Sequence, residues 1–501
     1  MIMPRILPVF LFAVLCLTVR AEDKPLWLVV GKPGLVEAAE PLAAKRKAEG
    51  FRTVISTKSV AEALRDASLT TTSFLLLVGD DEPGKGTETW YLPAKRMPLY
   101  RWQENQPQQY ESDLAWGDLD GNGWPDIPVG RIPARSKQEA SVVVEKILEF
   151  EERSPSQSDL LLPVWGGAPG YGGVVDAVAG VMLVNMVGTL TPKWCQPWLM
   201  SADTRLATCG WPPDQPALFA ARTREGGFLF SLMGHGSQRA FHGMYHEGAA
   251  IEFTAESARK EMSNGPAVAP LLIYACDCGD FTDSSPCLAE SLLLMRGGPV
   301  AVIAATTVSH PMPNYLSGVS FLRTVGQGEE RLGKLWLRVQ YQAQKSRDIL
   351  AEKILLDSEG NLGTPLDLRL LKRDNLFEYA ILGDPATRLK VPRKAEIALE
   401  RTSSGWHWKA KRPSGNARIE VGLRSPTPPV AVAGQLPKEA EARKAFQAAN
   451  DRFAFVPLQS PGANVPWEGT VDKEGTLRVV ITGTGVFQAA AVELKKEETP
   501  Q

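Results

Sequence analysis

Short, wholly apolar runs that stop at a glycine or at a chemically loaded turn recur between Trp27 and Lys390, and they restrict the architecture more than any other feature. Leu26-Trp27-Leu28-Val29-Val30 stops at Gly31, and the run 73–78 stops at Gly79-Asp80. Comparable runs lie at 160–164, 228–233, 271–275 and 300–304. Helical patterns separate them: a polar one over 137–153, then 174–188, 216–224, 286–295 and a long one near 332–355. The start of 286–295 carries Pro286 after Asp283-Ser284-Ser285, as a capped first turn would. Strands without a polar face, alternating with helices, read as an α/β protein with parallel strands and crossover helices. Beyond Pro392 the texture changes. Segments 397–399, 417–423 and 476–483 alternate apolar and polar residues between Pro/Gly/Ser turns, as in a small antiparallel β-sandwich. The reading is therefore a first α/β subdomain over 22–158, a second over 159–392, and a sandwich over 393–501.

Residues 1–21 read differently. Arg5 precedes an apolar stretch from Ile6 to Leu17, and Val19-Arg20-Ala21 ends it with small residues, the layout of a secretory signal. The stretch is shorter than the roughly 20 residues that span a bilayer, and no other segment reaches that length. The expected location is outside the cytoplasm: secreted, at the cell surface, or in a periplasm. The formal charge of −2 gives no reason to expect nucleic acid or an anionic membrane as partner. With Cys16 in the signal, Cys195, Cys209, Cys276, Cys278 and Cys287 remain. An odd count in an exported chain leaves a thiol to account for. Cys195 and Cys209 could pair as a disulfide.

Two apolar runs end in reactive turns. The run 228–233 leads into Gly234-His235-Gly236-Ser237, and 271–275 leads into Cys276-Asp277-Cys278-Gly279-Asp280. In open parallel sheets, ligands bind at the carboxyl ends of strands, which is where both turns fall. A thiol must lose its proton to attack a carbonyl, and a nearby imidazole can take it near neutral pH. The backbone N–H groups of Gly236 and Cys276 are candidate donors for the oxyanion that follows. A thiol and an imidazole so placed require no cofactor and no metal. The competing readings are bland: a small apolar residue at a strand end, and a turn histidine.

The ordered motifs resemble the gingipain family of cysteine peptidases. They are Gly234-His235-Gly236-Ser237, then Tyr274-Ala275-Cys276 with Gly279-Asp280-Phe281, then Pro286-Cys287-Leu288-Ala289-Glu290-Ser291. Val300-Ala301-Val302-Ile303-Ala304-Ala305-Thr306-Thr307 and Tyr379-Ala380-Ile381-Leu382-Gly383-Asp384-Pro385-Ala386 continue the series. Upstream, Asp118 to Asp126 followed by Val129-Gly130-Arg131 resembles the family's first subdomain. The resemblance implies caspase-like three-layer parallel sheets in two subdomains, with an immunoglobulin-like β-sandwich at the C-terminus. It implies Cys276 as nucleophile, His235 as base, and a protein or peptide substrate. Arginine-specific members have a glutamate before a Gly-Gly pair that orients the histidine; here Trp165 precedes Gly166-Gly167. The acid of the family's basic specificity pocket matches Asp176, which as an acid in a first helical turn also suits the helix dipole. Two other readings follow from the resemblance and its departures: a transpeptidase like the family's sortase of a bacterial secretion system, and a degenerate peptidase kept as a surface binding module.

Asp118, Asp120, Asn122 and Asp126 place several hard oxygen ligands in one loop, a pattern that suits structural Ca²⁺. The EF-hand glutamate at the twelfth position is missing, and Asp and Gly are also ordinary turn formers. The family's calcium dependence favours the ion. Cys276, Cys278, Cys287 and His235 match no usual zinc spacing. His242 and His246 stand four apart, with Gly243 and Gly248 arguing for a loop, and His310 is placed on a loop rimming the site.

Overall fold

The computed structural model describes residues 24–100, 109–357, 367–426, 435–462 and 465–495; the signal assigned to 1–21 lies outside them. The first strand, β1 (Leu26–Gly31), is buried at every position. Having no face for solvent, it sits inside a sheet, in parallel between β2 (Arg52–Ser56) and β3 (Phe74–Val78). A hairpin of β4 (Lys95–Pro98) and β5 (Gln109–Ser112) stands apart, and β6 (Val129–Ile132) then pairs in parallel with β3.

The second stretch supplies β7 (Leu161–Gly166), β8 (Gln196–Ser201) and β9 (Phe230–Met233). A small antiparallel sheet follows, β10 (His235–Ser237), β11 (Ala240–His246) and β12 (Ala249–Thr254). Three more strands complete the main sheet: β13 (Leu271–Tyr274), β14 (Val302–Ala305) and β15 (Tyr379–Leu382). The order is β2-β1-β3-β6-β15-β14-β13-β9-β7-β8. The two stretches thus build one ten-stranded sheet instead of a sheet each. All neighbours are parallel except β14 and β15. Two parallel blocks therefore run in opposite directions and meet at that pair. With Ala305 opposite Tyr379, the amino end of β15 lies beside the carboxyl ends of β13 and β14.

Helix boundaries depart from the sequence pattern where caps intervene. The long helix near 332–355 is two, Leu332–Lys345 and Ile349–Asp357. Ser346, in an extended conformation, ends the first, and Asp348 starts the second, its carboxylate accepting from Ala351 N at 3.0 Å and from Tyr315 Oη at 2.8 Å. The helix assigned to 286–295 begins at Leu288. Its cap is Cys287, whose Sγ accepts from Glu290 N while the Glu290 carboxylate accepts from Cys287 N.

After β16 (Arg393–Lys394), the C-terminal strands are β17 (Ile397–Thr402), β18 (Gly405–Ala410), β19 (Ala417–Arg424), β20 (Val456–Leu458), β21 (Glu468–Val471), β22 (Gly475–Gly483) and β23 (Val486–Leu494). They form a five-stranded sheet, β16-β23-β22-β19-β20, and a three-stranded one, β17-β18-β21. Trp406, Trp408, Trp467, Val421, Leu477 and Ile481 share one core. The helix Glu439–Asp451, unforeseen in the strand pattern, docks on β8 of the main sheet. Its Phe446 ring meets Trp198 at 5.3 Å, and its Asn450 side chain bonds both Leu199 N (2.8 Å) and Leu199 O (3.1 Å). That amide covers backbone groups on an edge strand that would otherwise be open to another chain. Cys195 and Cys209 are both free and buried, in separate apolar clusters, so the disulfide is not formed.

Candidate active site

The register of β9 and β13 sets the geometry. Tyr274 pairs with Met233, so the turns that follow, Ala275-Cys276 and Gly234-His235-Gly236, leave adjacent strands at the same level. Gly234 N donates to Tyr274 O at 3.0 Å, extending the pairing one residue further. Gly236 then lies directly on the cysteine turn: a Cβ there would stand 2.7 Å from Cys278 Sγ and 2.9 Å from the Cys276 carbonyl oxygen. Glycine at 236 is thus required to seat one turn against the other, a tighter constraint than room for a substrate.

The two reactive side chains face partners of their own. His235 is exposed, and its Nε2 lies 2.6 Å from the Pro169 carbonyl oxygen. A carbonyl only accepts, so Nε2 carries the proton and Nδ1 of the neutral ring is the open acceptor. The half-buried Cys276 Sγ accepts from Ser309 N at 3.3 Å, with Ser309 O at 3.6 Å. Among the described residues no hydrogen bond joins Sγ to the imidazole. Such bonds are often long before substrate binds. Burial pushes the Cys276 thiol up; the Ser309 N–H works against that, and the Asp277 charge adds to it.

Behind the thiol lies a buried polar network. Asn314 Nδ2 donates to Ser309 Oγ at 2.8 Å, while Asn314 Oδ1 accepts from Asn375 Nδ2 and from Tyr379 Oη, both at 2.7 Å. His310 is buried rather than rimming the site: it caps the helix Pro311–Thr324, its Nδ1 accepting from Met312 N at 3.0 Å. His242 and His246 lie on β11, not on a loop; His242 is the cross-strand neighbour of His235, with Glu252 at 3.5 Å.

Trp165, at the place of the family's orienting glutamate, points into the core among Phe219, Phe241 and Phe253. The group that meets the imidazole is the carbonyl of Pro169, on the loop 167–172. Sequence reasoning had no signal for it, because any residue carries a carbonyl. Asp176 sits in the first turn of the helix Gly173–Leu190, its Oδ1 accepting from Tyr171 N at 2.9 Å. Asp277 was also missed as a functional candidate. It follows the thiol with a φ of 59°, a conformation that costs a non-glycine residue, and burial with the Asp280 charge pushes its carboxyl up to about 6.

Asp118, Asp120 and Asp126 bring carboxylate oxygens within 4.8 Å of one another. The loop is held by its own turns: Gly123 N donates to Asp118 Oδ2, Asn122 N to Asp120 Oδ1, Leu119 N to Asp126 Oδ2, and Trp124 N to Asn122 Oδ1. Asp118 Oδ1 is shielded from solvent with no hydrogen-bond partner among the described residues. A hard divalent cation fits this donor set.

The profile of peptidase family C25 matches residues 20–390, most of the chain. This chain belongs to peptidase family C25. Gingipain R2 of Porphyromonas gingivalis is 24% identical over 242 residues, covering 47% of this chain and 28% of that protein. Gingipain R1 of the same organism is 24% identical over 242 residues, covering 47% of this chain and 21% of its own length. The chain thus spans less than a third of the curated relatives it matches. The crystal structure of the Arg-specific cysteine proteinase gingipain R (RgpB) superposes with a TM-score of 0.52 at 15% identity, over 95% of this chain and 98% of that one. The complex of Porphyromonas gingivalis RgpB pro- and mature domains gives 0.52 at 14% identity, over 94% and 100%. At such identities the superpositions speak for the fold, an α/β body around a largely parallel sheet. Among the described residues no helix is long and apolar enough to cross a membrane.

Proposed function

We propose that this C25 family member is a cysteine peptidase that hydrolyses peptide bonds through Cys276 and His235. The observation that carries the proposal is the seating of Gly236 on the Cys276 turn, in register across β9 and β13. His235 Nδ1 takes the thiol proton and Sγ attacks the substrate carbonyl. The N–H groups of Gly236 and Cys276 receive the oxyanion. The amine leaves with the proton from the imidazolium, and water then cleaves the thioester. The Pro169 carbonyl takes the place of a third catalytic acid, whose main task is tautomer and orientation. A preference for Arg or Lys before the scissile bond would require a carboxylate facing the cleft, and Asp176, in the first turn of the helix Gly173–Leu190, is the candidate for it.

Residues 1–21 are read as an export signal, so that the exported product begins at Glu22. On this reading 22–158 and 159–392 make the catalytic body, and 393–501 an immunoglobulin-like module. The test uses reporter peptides with Arg, Lys or a neutral residue at the cleavage point. Hydrolysis is expected to fall by about a thousandfold or more in Cys276→Ala and in His235→Ala. Turnover that survives Cys276→Ala ends the proposal; product formed only with an added amine acceptor makes the enzyme a transpeptidase.

A further inference from the structure

Ser309 meets the reactive sulfur with three atoms. Its N–H donates to Cys276 Sγ at 3.3 Å, its carbonyl oxygen can take the thiol hydrogen at 3.6 Å, and its Oγ stands 3.8 Å from Sγ. The floor behind it is polar and buried: Ser309, Asn314, Asn375, Glu378 and Tyr379 are all shielded from solvent. Polar groups cost free energy to bury, and a satisfied network of them fixes the geometry of its members. The reversal of the sheet at β14 and β15 brings these residues together. Tyr379 begins β15 opposite Ala305 at the end of β14. Thr306 N donates to Glu378 O at 2.8 Å, so the helix Leu368–Glu378 ends beside the loop that carries Ser309.

The network has a direction. A carboxylate only accepts, so Asn375 turns its amide nitrogen to Glu378 Oε1 (3.3 Å) and, with the same nitrogen, to Asn314 Oδ1 (2.7 Å). Asn314 Oδ1 also accepts from Tyr379 Oη at 2.7 Å, and Asn314 Nδ2 is left to donate to Ser309 Oγ at 2.8 Å. The Ser309 hydrogen therefore does not point at Asn314. Its acceptors are the Tyr379 oxygen, which the Ser309 side chain also meets, and Sγ. A thiolate competes for that hydrogen far better than a thiol, because a hydrogen bond to an ionised acceptor is about twice as strong as a neutral one.

We propose that Ser309 is a further catalytic residue, whose N–H and hydroxyl, the latter aimed by Asn314, together receive the negative charge of the Cys276 thiolate. The assignment rests on the Cys276–His235 reading. As His235 Nδ1 takes the thiol proton, the Ser309 hydrogen turns from Tyr379 to the sulfur with no heavy atom displaced. Of the other groups around Sγ, Asp277 in its own turn and Glu378 at the helix end oppose the thiolate. Cys278 and Tyr379 are pushed up by burial and stay neutral. The donors of Ser309 work against that opposition.

The test compares the full chain with Ser309→Ala, Ser309→Thr and His235→Ala. One readout is the rate of Cys276 alkylation by iodoacetamide against pH; the other is kcat and KM on Arg, Lys and neutral peptides. Ser309→Ala keeps the backbone N–H and loses the hydroxyl. It is expected to raise the midpoint of the alkylation profile by about one pH unit, the size of one hydrogen bond to an ion. Near pH 7 kcat should fall by about tenfold on all three peptides, with KM little changed. Ser309→Thr keeps a hydroxyl on the same atom and is expected to restore both. A Ser309→Ala variant that melts lower while its midpoint follows the parent has lost only a structural contact, which overturns the assignment. A raised midpoint that Ser309→Thr leaves raised traces the effect to packing and overturns it too. Ser309→Gly removes the same hydroxyl with a smaller residue and is read in the same way if Ser309→Ala does not fold. A profile unchanged in His235→Ala sinks the underlying pair instead.

Discussion

A carboxylate beside a nucleophilic thiol works against it. Asp277 adjoins Cys276, is half-buried, and is held up to about 6 by burial and by Asp280. Below about pH 5 it is neutral and leaves the thiol alone; above about pH 7 its charge opposes thiolate formation. Asp277→Asn is therefore expected to speed Cys276 alkylation several-fold at pH 8 and to change it little at pH 5. The same carboxyl binds its proton more tightly folded than unfolded. Its contribution to stability is thus intact below its unfolded value near 4 and is lost as pH rises through about 6. Denaturant melts of the variant should show a smaller fall in stability over that interval. An alkylation profile identical to the parent's would show that the charge does not reach the sulfur. The remaining cysteines give a clean background, since Cys195, Cys209, Cys278 and Cys287 are buried and their thiols are pushed up by burial. The nucleophile and its base were legible at this scale as residue types at strand ends. Pro169 was not, since a backbone carbonyl leaves no trace in the side-chain pattern.

Elements show the same division. The strand runs were legible because β1, β3, β13 and β14 are buried throughout and carry no polar alternation. The starts of the helices Leu288–Leu293 and Ile349–Asp357 were instead set by the caps Cys287 and Asp348, which the periodicity does not reveal. The loop carrying Asp118, Asp120 and Asp126 was legible as a ligand pattern, and the structure gathers its carboxylates. Three acids in close array repel one another, and a hard divalent cation would relieve that repulsion. Ca²⁺ is expected to raise the melting temperature by a few degrees, with EDTA reversing the gain and Asp118→Asn abolishing it. A melting temperature indifferent to Ca²⁺ would leave the loop a self-bonded turn.

On the scale of the whole molecule, distant stretches are joined through buried charge. Arg46, fully buried, donates to Asp384 Oδ2 at 2.7 Å and to Glu151 at 2.7 Å, while Trp27 Nε1 donates to Asp384 Oδ1 at 3.0 Å. This network ties β1 and the helices Glu40–Ala48 and Lys137–Glu152 to the turn after β15. Arg46→Met leaves two buried carboxylates without their cation and is expected to cost about 3–5 kcal/mol in denaturant unfolding. A loss below about 1 kcal/mol would mean that water or a repacked side chain replaces the guanidinium. By itself the sequence determined the α/β class, the change to β-sandwich texture after Pro392, and the two reactive turns, because burial periodicity and residue chemistry are local properties of a chain. Only the tertiary structure decided that both stretches share one sheet, that it reverses at β14 and β15, and that a carbonyl from the loop 167–172 meets the imidazole of His235. Those outcomes depend on which distant backbone groups satisfy one another once the apolar runs are packed, and spacing along the chain does not encode that choice.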